Sequence, residues 1–271
     1  MKQPTNYVIN GDIQHTITPL DRGFAYGDGV FRTLKVVNGL PQHWPLHYQK
    51  LVADCAAIGI VCPNPDLLMA DFQQLFNADD MAVAKIMITR GEGVRGYAQP
   101  AITVPTRVWI KSSLPQYPEY YFSDGVHLFL CQTRLAYQPK LAGIKHLNRL
   151  ENILARSEWD SMEAVEGLLL DADDRVIECT ASNLFARYGQ TLKTPNLTRC
   201  GVAGVTRERI MQLAHLLQLT IQIEDINLEQ LLLADEILIC NSLMSVVQVT
   251  QLHGRQWQVL PTSNALRQML G

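Results

Sequence analysis

Leu141-Ala142-Gly143-Ile144-Lys145-His146-Leu147-Asn148-Arg149-Leu150-Glu151 places a lysine among apolar residues, and Glu178-Cys179-Thr180-Ala181-Ser182-Asn183 places a glutamate downstream of it. An ammonium with apolar neighbours loses hydration, so its pKa falls and the free amine becomes a nucleophile toward an aldehyde. The same stretch also suits a lysine whose stem packs while its head stays in water. The distant glutamate bears on that choice. A pyridine aldehyde needs an amine to hold it and a carboxylate on its ring nitrogen, because only the protonated ring absorbs the electrons of a substrate carbanion. Lys145 and Glu178 together point to a Schiff-base enzyme using pyridoxal 5'-phosphate (PLP).

A phosphate would need an anion site, and two segments suit one. Gly201-Val202-Ala203-Gly204-Val205-Thr206-Arg207 leads into an amphipathic helix, whose free amides, threonine hydroxyl and dipole favour an anion. The same pattern also serves as an ordinary helix N-cap. Asn241-Ser242, at the end of the apolar run Ile237 to Cys240, offers a second hydroxyl and amide.

Gly91-Glu92-Gly93-Val94-Arg95-Gly96 fits the G-x-G-x-x-G spacing of a dinucleotide fingerprint. That fingerprint requires a helix opening at its last glycine, and here Tyr97-Ala98-Gln99-Pro100 follows instead. The segment reads better as a loop presenting Arg90, Arg95 and Tyr97 to a carboxylate, which arginine engages through two hydrogen bonds. A solvated turn is the plainer alternative.

The chain of 271 residues carries a formal net charge of −3 with both signs interspersed, so nothing suggests a nucleic-acid or membrane surface. A small-molecule substrate is expected. Met1-Lys2-Gln3-Pro4-Thr5-Asn6 lacks the apolar core of a signal peptide, and no stretch is long and apolar enough to span a bilayer. The six cysteines are scattered without a Cys-x-x-Cys, which fits reduced thiols in the cytoplasm. His43 and His47 are four apart but have Trp44-Pro45 between them and no carboxylate near, and no metal is expected.

Periodicity predicts strands at Tyr7 to Asn10, Val30 to Val37 and Ala82 to Thr89, a hairpin turn at Asn38-Gly39, and helices from His47 to Ile58 and Pro65 to Phe76. The prolines of Ser112-Ser113-Leu114-Pro115-Gln116-Tyr117-Pro118-Glu119 mark a linker. Domains of 1–112 and 123–271 joined over 113–122 are therefore expected. The second domain should hold strands at Val126 to Leu135, Gly167 to Asp171, Arg175 to Cys179, Thr220 to Asp225 and Glu236 to Cys240. Helices are expected from Asn148 to about Trp159 and from Thr206 to Leu217. The class is α+β, without the strand-helix rhythm of a doubly wound sheet.

These segments, with Asn10-Gly11, Asp21-Arg22-Gly23 and Tyr26-Gly27-Asp28-Gly29-Val30-Phe31, make the chain resemble the fold-type IV PLP enzymes over nearly its whole length. That group holds branched-chain aminotransferases, D-amino acid aminotransferases and 4-amino-4-deoxychorismate lyases, and the Arg90 to Tyr97 and Leu141 to Glu151 segments are most like the lyases. The resemblance implies a small N-terminal α+β domain, a larger C-terminal barrel-like α/β domain and a homodimer. It also implies that Lys145 is the catalytic amine, that Glu178 meets the ring nitrogen, and that Val205, Thr206 and Ser242 hold the phosphate.

The implied reaction turns 4-amino-4-deoxychorismate into p-aminobenzoate and pyruvate, a step of folate biosynthesis, with Arg95, Tyr97 and Arg90 toward substrate. Transamination of branched-chain or D-amino acids is the alternative. Two departures stand out. His47-Tyr48-Gln49-Lys50-Leu51 carries Lys50 where the family usually has a phosphate-binding arginine, and Phe31 replaces the tyrosine of D-amino acid aminotransferases. Lysine keeps the charge and gives up the guanidinium fork. The missing hydroxyl of Phe31 argues against the D-amino acid activity.

Overall fold

The computed structural model describes residues 6–13, 16–159 and 164–271. The stretch Met1 to Thr5, which the signal-peptide reading used, lies outside them. The chain divides into two compact units, one of residues up to Pro115 plus Ile144–Asn148, the other of Gln116–Gly143 plus Arg149–Gly271.

The first unit is a five-stranded antiparallel sheet under two helices. Its elements are β1 (Tyr7–Ile9), α1 (Arg22–Tyr26), β2 (Gly29–Val37), β3 (Leu40–Pro41), α2 (Trp44–Ala57), α3 (Pro65–Gln73), β4 (Ala82–Thr89) and β5 (Thr106–Ser113), in sheet order β1-β5-β4-β2-β3. Strand alternation separates the two faces. Val30, Leu34 and Val36 of β2, with Ala84, Ile86 and Ile88 of β4, are buried in one core with Leu51, Leu68 and Phe72 from the helices. Phe31 and Thr33, opposite Met87 and Lys85, occupy the other, half-buried face. The Asn38-Gly39 turn forms as expected, both residues having positive φ.

Two expectations are corrected here. Residues 144–148 belong with the small sheet instead of the C-terminal domain, because Lys145 and Leu147 hydrogen-bond to the start of β2 through Phe31 N to Lys145 O and Leu147 N to Gly29 O, each 2.9 Å. A side chain at Gly29 would prevent this approach, since its Cβ would lie 2.6 Å from Ile88 O and 2.8 Å from Leu147 Cδ1. The expected linker begins inside β5, a strand that the proline-led reading passed over.

The second unit contains α4 (Tyr120–Ser123), β6 (Val126–Leu135), α5 (Leu150–Arg156), β7 (Glu166–Asp171), β8 (Arg175–Cys179), β9 (Asn183–Tyr188), β10 (Thr191–Pro195) and α6 (Val205–Leu213). Then follow β11 (Thr220–Glu224), β12 (Ile226–Asn227), α7 (Leu228–Leu232), β13 (Glu236–Asn241), β14 (Ser245–Leu252), β15 (Arg255–Gln256) and α8 (Thr262–Leu270). The strands form one sheet in the order β11-β10-β9-β13-β14-β6-β7-β8-β12, with β15 on β14.

The path from β9 to β8 crosses five strand spacings, about 24 Å in a flat sheet. Yet only residues 180–182 join β8 to β9, a reach of about 15 Å at full extension. The sheet therefore has to curl until its two ends meet at this turn, the barrel-like form the family resemblance implied.

The helix expected from Asn148 to Trp159 is shorter, Leu150–Arg156, and its apolar stripe does not face the core. Leu150, Ile153 and Leu154 are exposed, and Ala155 is the buried residue. Among the described residues no helix is long and apolar enough to cross a membrane.

Candidate functional site

In the first unit the chemistry gathers on the half-buried face of the sheet and its margin. Lys145 is half-buried, with Nζ 4.8 Å from the centroid of the Phe31 ring. Its backbone is held at both polar atoms, the carbonyl by Phe31 N and the amide by Asp54 Oδ2 at 3.2 Å. Asp54, buried on α2, also receives Lys50 Nζ at 2.7 Å and the Arg32 guanidinium. Lys50 thus projects from α2 one turn before Asp54 and meets the carboxylate that anchors the Lys145 segment. A lysine head held beside an aromatic face, with its main chain pinned, is positioned to act as nucleophile and as proton carrier.

In the second unit Glu178, the penultimate residue of β8, lies at the closure of the curled sheet and is only 3% exposed. Its Oε2 accepts Val202 N at 2.8 Å, which fastens the carboxylate to the loop preceding α6. That loop is also held by Asn183, whose Nδ2 donates to Val202 O at 2.7 Å and whose Oδ1 accepts Gly204 N at 3.1 Å. Gly204 has no side chain to cap α6, and a Cβ there would strike Asn183 Oδ1 at 2.4 Å. The helix therefore opens without a capping side chain, at the buried pair Val205 and Thr206. Amides at such a helix start favour an anion.

Asn241 organises the second anion segment. Its Oδ1 accepts Leu243 N at 2.9 Å and Met244 N at 2.8 Å, closing the turn that carries Ser242, and its Nδ2 donates to Ser182 Oγ at 3.1 Å. Glu178, the α6 loop and the Ser242 turn are therefore linked through residues 178–183.

The Arg90 expectation is corrected by its surroundings. Arg90 is buried, and its guanidinium donates to both oxygens of Asp28, at 2.7 and 3.0 Å, and to the α2 terminal carbonyls of Ile58 and Gly59 at 2.6 and 2.8 Å. It closes a helix end and braces the loop instead of facing a ligand. Arg22 Nε reaches the same Asp28 at 2.8 Å. Burial pushes the Asp28 carboxyl up, but the hydrogen bonds and charges of Arg90 and Arg22 outweigh it and hold the group below the usual carboxylate range.

Arg95 is exposed, and Tyr97 is 86% exposed with its ring edge-on to Tyr26 at 5.6 Å. No helix follows Gly96, so the glycine spacing forms a loop and no dinucleotide fold.

Sequence reasoning missed Lys85. Its Nζ lies 4.7 Å from the Phe31 centroid, so this ring lies against two ammonium groups, those of Lys85 and Lys145. Burial pushes the Lys85 amine below the usual lysine range. Among the described residues no carboxylate pairs with it. The signal was a lysine interrupting the apolar run Ala82 to Thr89, on the same sheet face as Phe31. Among the described residues no cluster of side chains suits a metal ion.

Comparison with known proteins gives a consistent set of relatives. The family model described as amino-transferase class IV matches residues 29–252. An aminodeoxychorismate lyase of Vibrio harveyi is 35% identical over 265 residues, covering 97% of each chain. The crystal structure of 4-amino-4-deoxychorismate lyase from Pseudomonas aeruginosa superposes with a TM-score of 0.93 at 40% identity, covering 97% of each chain. The branched-chain amino acid aminotransferase of Escherichia coli, 21% identical, shares the fold with a TM-score of 0.85 over 98% of this chain and 93% of its own.

Proposed function

This chain belongs to the amino-transferase class IV family, and we infer from that membership and from its site residues that it is a PLP-dependent carbon-oxygen lyase. Its relatives from Vibrio harveyi and Pseudomonas aeruginosa are named aminodeoxychorismate lyases, and the reaction inferred for this chain converts 4-amino-4-deoxychorismate to p-aminobenzoate and pyruvate. The observation that carries the cofactor assignment is the 2.8 Å bond from Val202 N to Glu178 Oε2. It fastens a buried acid to the loop opening an uncapped helix, which suits a ring nitrogen and a phosphate of one molecule.

PLP, when bound, supplies an aldehyde that takes up an amine and a ring that accepts electrons. Val205 and Thr206 would hold its phosphate together with Ser242 and Lys50, the last at the expense of its contact with Asp54. Glu178 would meet the ring nitrogen and keep it protonated. With substrate bound, the amine of Lys145 would remove the proton from the substrate carbon bearing nitrogen. The carbon-oxygen bond to the enolpyruvyl group then breaks as the ring becomes aromatic, and Lys145 returns the proton to the departing group, which leaves as pyruvate.

Arg95 and Tyr97 on the loop, and Lys85 beside Phe31, supply donors for the substrate carboxylates. Phe31 presents a bare ring where a D-amino acid site would need a hydroxyl. The absence of a redox or hydrolytic step leaves orientation and proton transfer as the protein's tasks.

The exposed apolar side chains Leu150, Ile153 and Leu154 on α5, with Phe24 and Leu20 in the first unit, support a homodimer. Six free cysteines support a cytoplasmic setting. The deciding experiment supplies enzymatically made aminodeoxychorismate without any keto acid. Equal and continuing release of p-aminobenzoate and pyruvate is expected. A yield that stops at one equivalent per site and resumes only on adding a keto acid would establish an aminotransferase instead.

A further inference from the structure

Glu166, the first residue of β7, is a buried carboxylate that none of the steps above uses. Its Oε2 accepts the Thr180 hydroxyl at 2.6 Å and Ala181 N at 3.2 Å, and its Oε1 accepts the Ser182 hydroxyl at 3.0 Å. These three donors are the whole of the connection that closes the curled sheet. Burial pushes the Glu166 carboxyl above the usual range, and the hydrogen bonds from Thr180, Ser182 and Ala181 work against that rise. A carboxylate placed here costs desolvation, so the turn it holds has to repay the cost in order.

The bonds do not end at Ser182. Its oxygen accepts Asn241 Nδ2, and the other side-chain atom of Asn241 closes the turn carrying Ser242. We propose that Glu166 is a positioning residue for cofactor binding, acting through Ser182 and Asn241 to hold the Ser242 end of the phosphate cradle. The proposal rests on the reading that the Ser242 turn receives the PLP phosphate. Glu166 itself touches no reacting atom. Because its effect passes through one hydroxyl, loss of either Glu166 or Ser182 loosens the same turn, and the two losses are not additive.

The test titrates the full-length chain, freed of cofactor, with PLP and with pyridoxal, which lacks the phosphate. Glu166→Ala and Ser182→Ala should each weaken PLP binding roughly tenfold, the scale of one lost hydrogen bond to a charged network, while changing pyridoxal binding by less than about twofold. The double variant should be no weaker than the weaker single one. Glu166→Gln should recover most of the PLP affinity, since its amide still accepts from Thr180 and can donate to Ser182.

Ser182→Ala removes a single hydroxyl and carries the test alone if Glu166→Ala does not fold. Equal weakening of PLP and pyridoxal, or no weakening of either, would overturn the proposal. Ser242→Ala separates the two levels. If it lowers PLP binding selectively while Ser182→Ala does not, the relay is wrong and the cradle stands. If Ser242→Ala treats both ligands alike, the cradle reading falls and takes the relay with it.

Discussion

The main-chain amide of Lys145 and the side chain of Lys50 meet on one carboxylate, Asp54, at 3.2 and 2.7 Å. The residue that carries the amine chemistry is thereby tied to the residue that departs from the family's usual arginine. Lys50→Ala should weaken PLP binding by about 1–3 kcal/mol, the range for losing a hydrogen bond to a charged group, and Lys50→Arg should keep or improve it. Cofactor titration measures this directly. Unchanged affinity in the alanine variant would show that Lys50 stays with Asp54.

Lys145→Ala should lower turnover by at least about a thousandfold, because it removes both the nucleophile and the proton carrier. Borohydride treatment followed by peptide mapping should fix PLP on Lys145 in the parent and leave no label in the variant. A labelled peptide elsewhere would move the assignment.

Glu178→Gln leaves the Val202 amide an acceptor, so the fold should persist, but a neutral amide cannot keep a pyridine nitrogen protonated. The rate should fall by about a hundredfold or more, with circular dichroism unchanged. Kinetics matching the parent would exclude Glu178 from that role.

Lys85→Met preserves the packing of the stem against Phe31 and removes the charge. If Lys85 meets a substrate carboxylate, kcat/KM should fall by roughly 10- to 100-fold while PLP affinity holds, as for one charge-assisted contact made by substrate alone. An equal loss in PLP binding would place Lys85 with the cofactor.

Asp28 has a folded pKa below its unfolded value near 3.9. Its ion pairs therefore contribute stability that is complete above that value and is lost as pH falls through the folded pKa. Asp28→Asn should cost roughly 1–3 kcal/mol at neutral pH, and the gap from the parent should close as unfolding is measured below about pH 4. A gap that stays constant down to pH 2.5 would place the stabilising contact elsewhere.

Much of this protein is legible along the chain because its signals are local. Alternation in Val30 to Val37 and Ala82 to Thr89, the Asn38-Gly39 turn and the glycines before α6 each act over a few residues, and strand or helix formation follows from that local chemistry. The strand Thr106–Ser113 is masked in the sequence by the prolines beside it, which place a boundary at its end. The stripe Leu150, Ile153 and Leu154 has helical spacing but faces outward, and periodicity says only that one face is apolar, not what covers it.

The family, the candidate amine and its distant acid were readable from residue types in order. Which atoms hold them was not. Lys145 and Leu147 join the small sheet through hydrogen bonds to Phe31 and Gly29, more than a hundred positions earlier, and Arg90 turns inward because Asp28 and the end of α2 converge on it. Lys85 gains meaning only beside Phe31 on the neighbouring strand. The turn at residues 180–182 becomes the keystone of the second unit because strands far apart in sheet order must meet there. Each of these depends on the long-range closure of a sheet, and such partners are set by register and curl that no short stretch of sequence encodes.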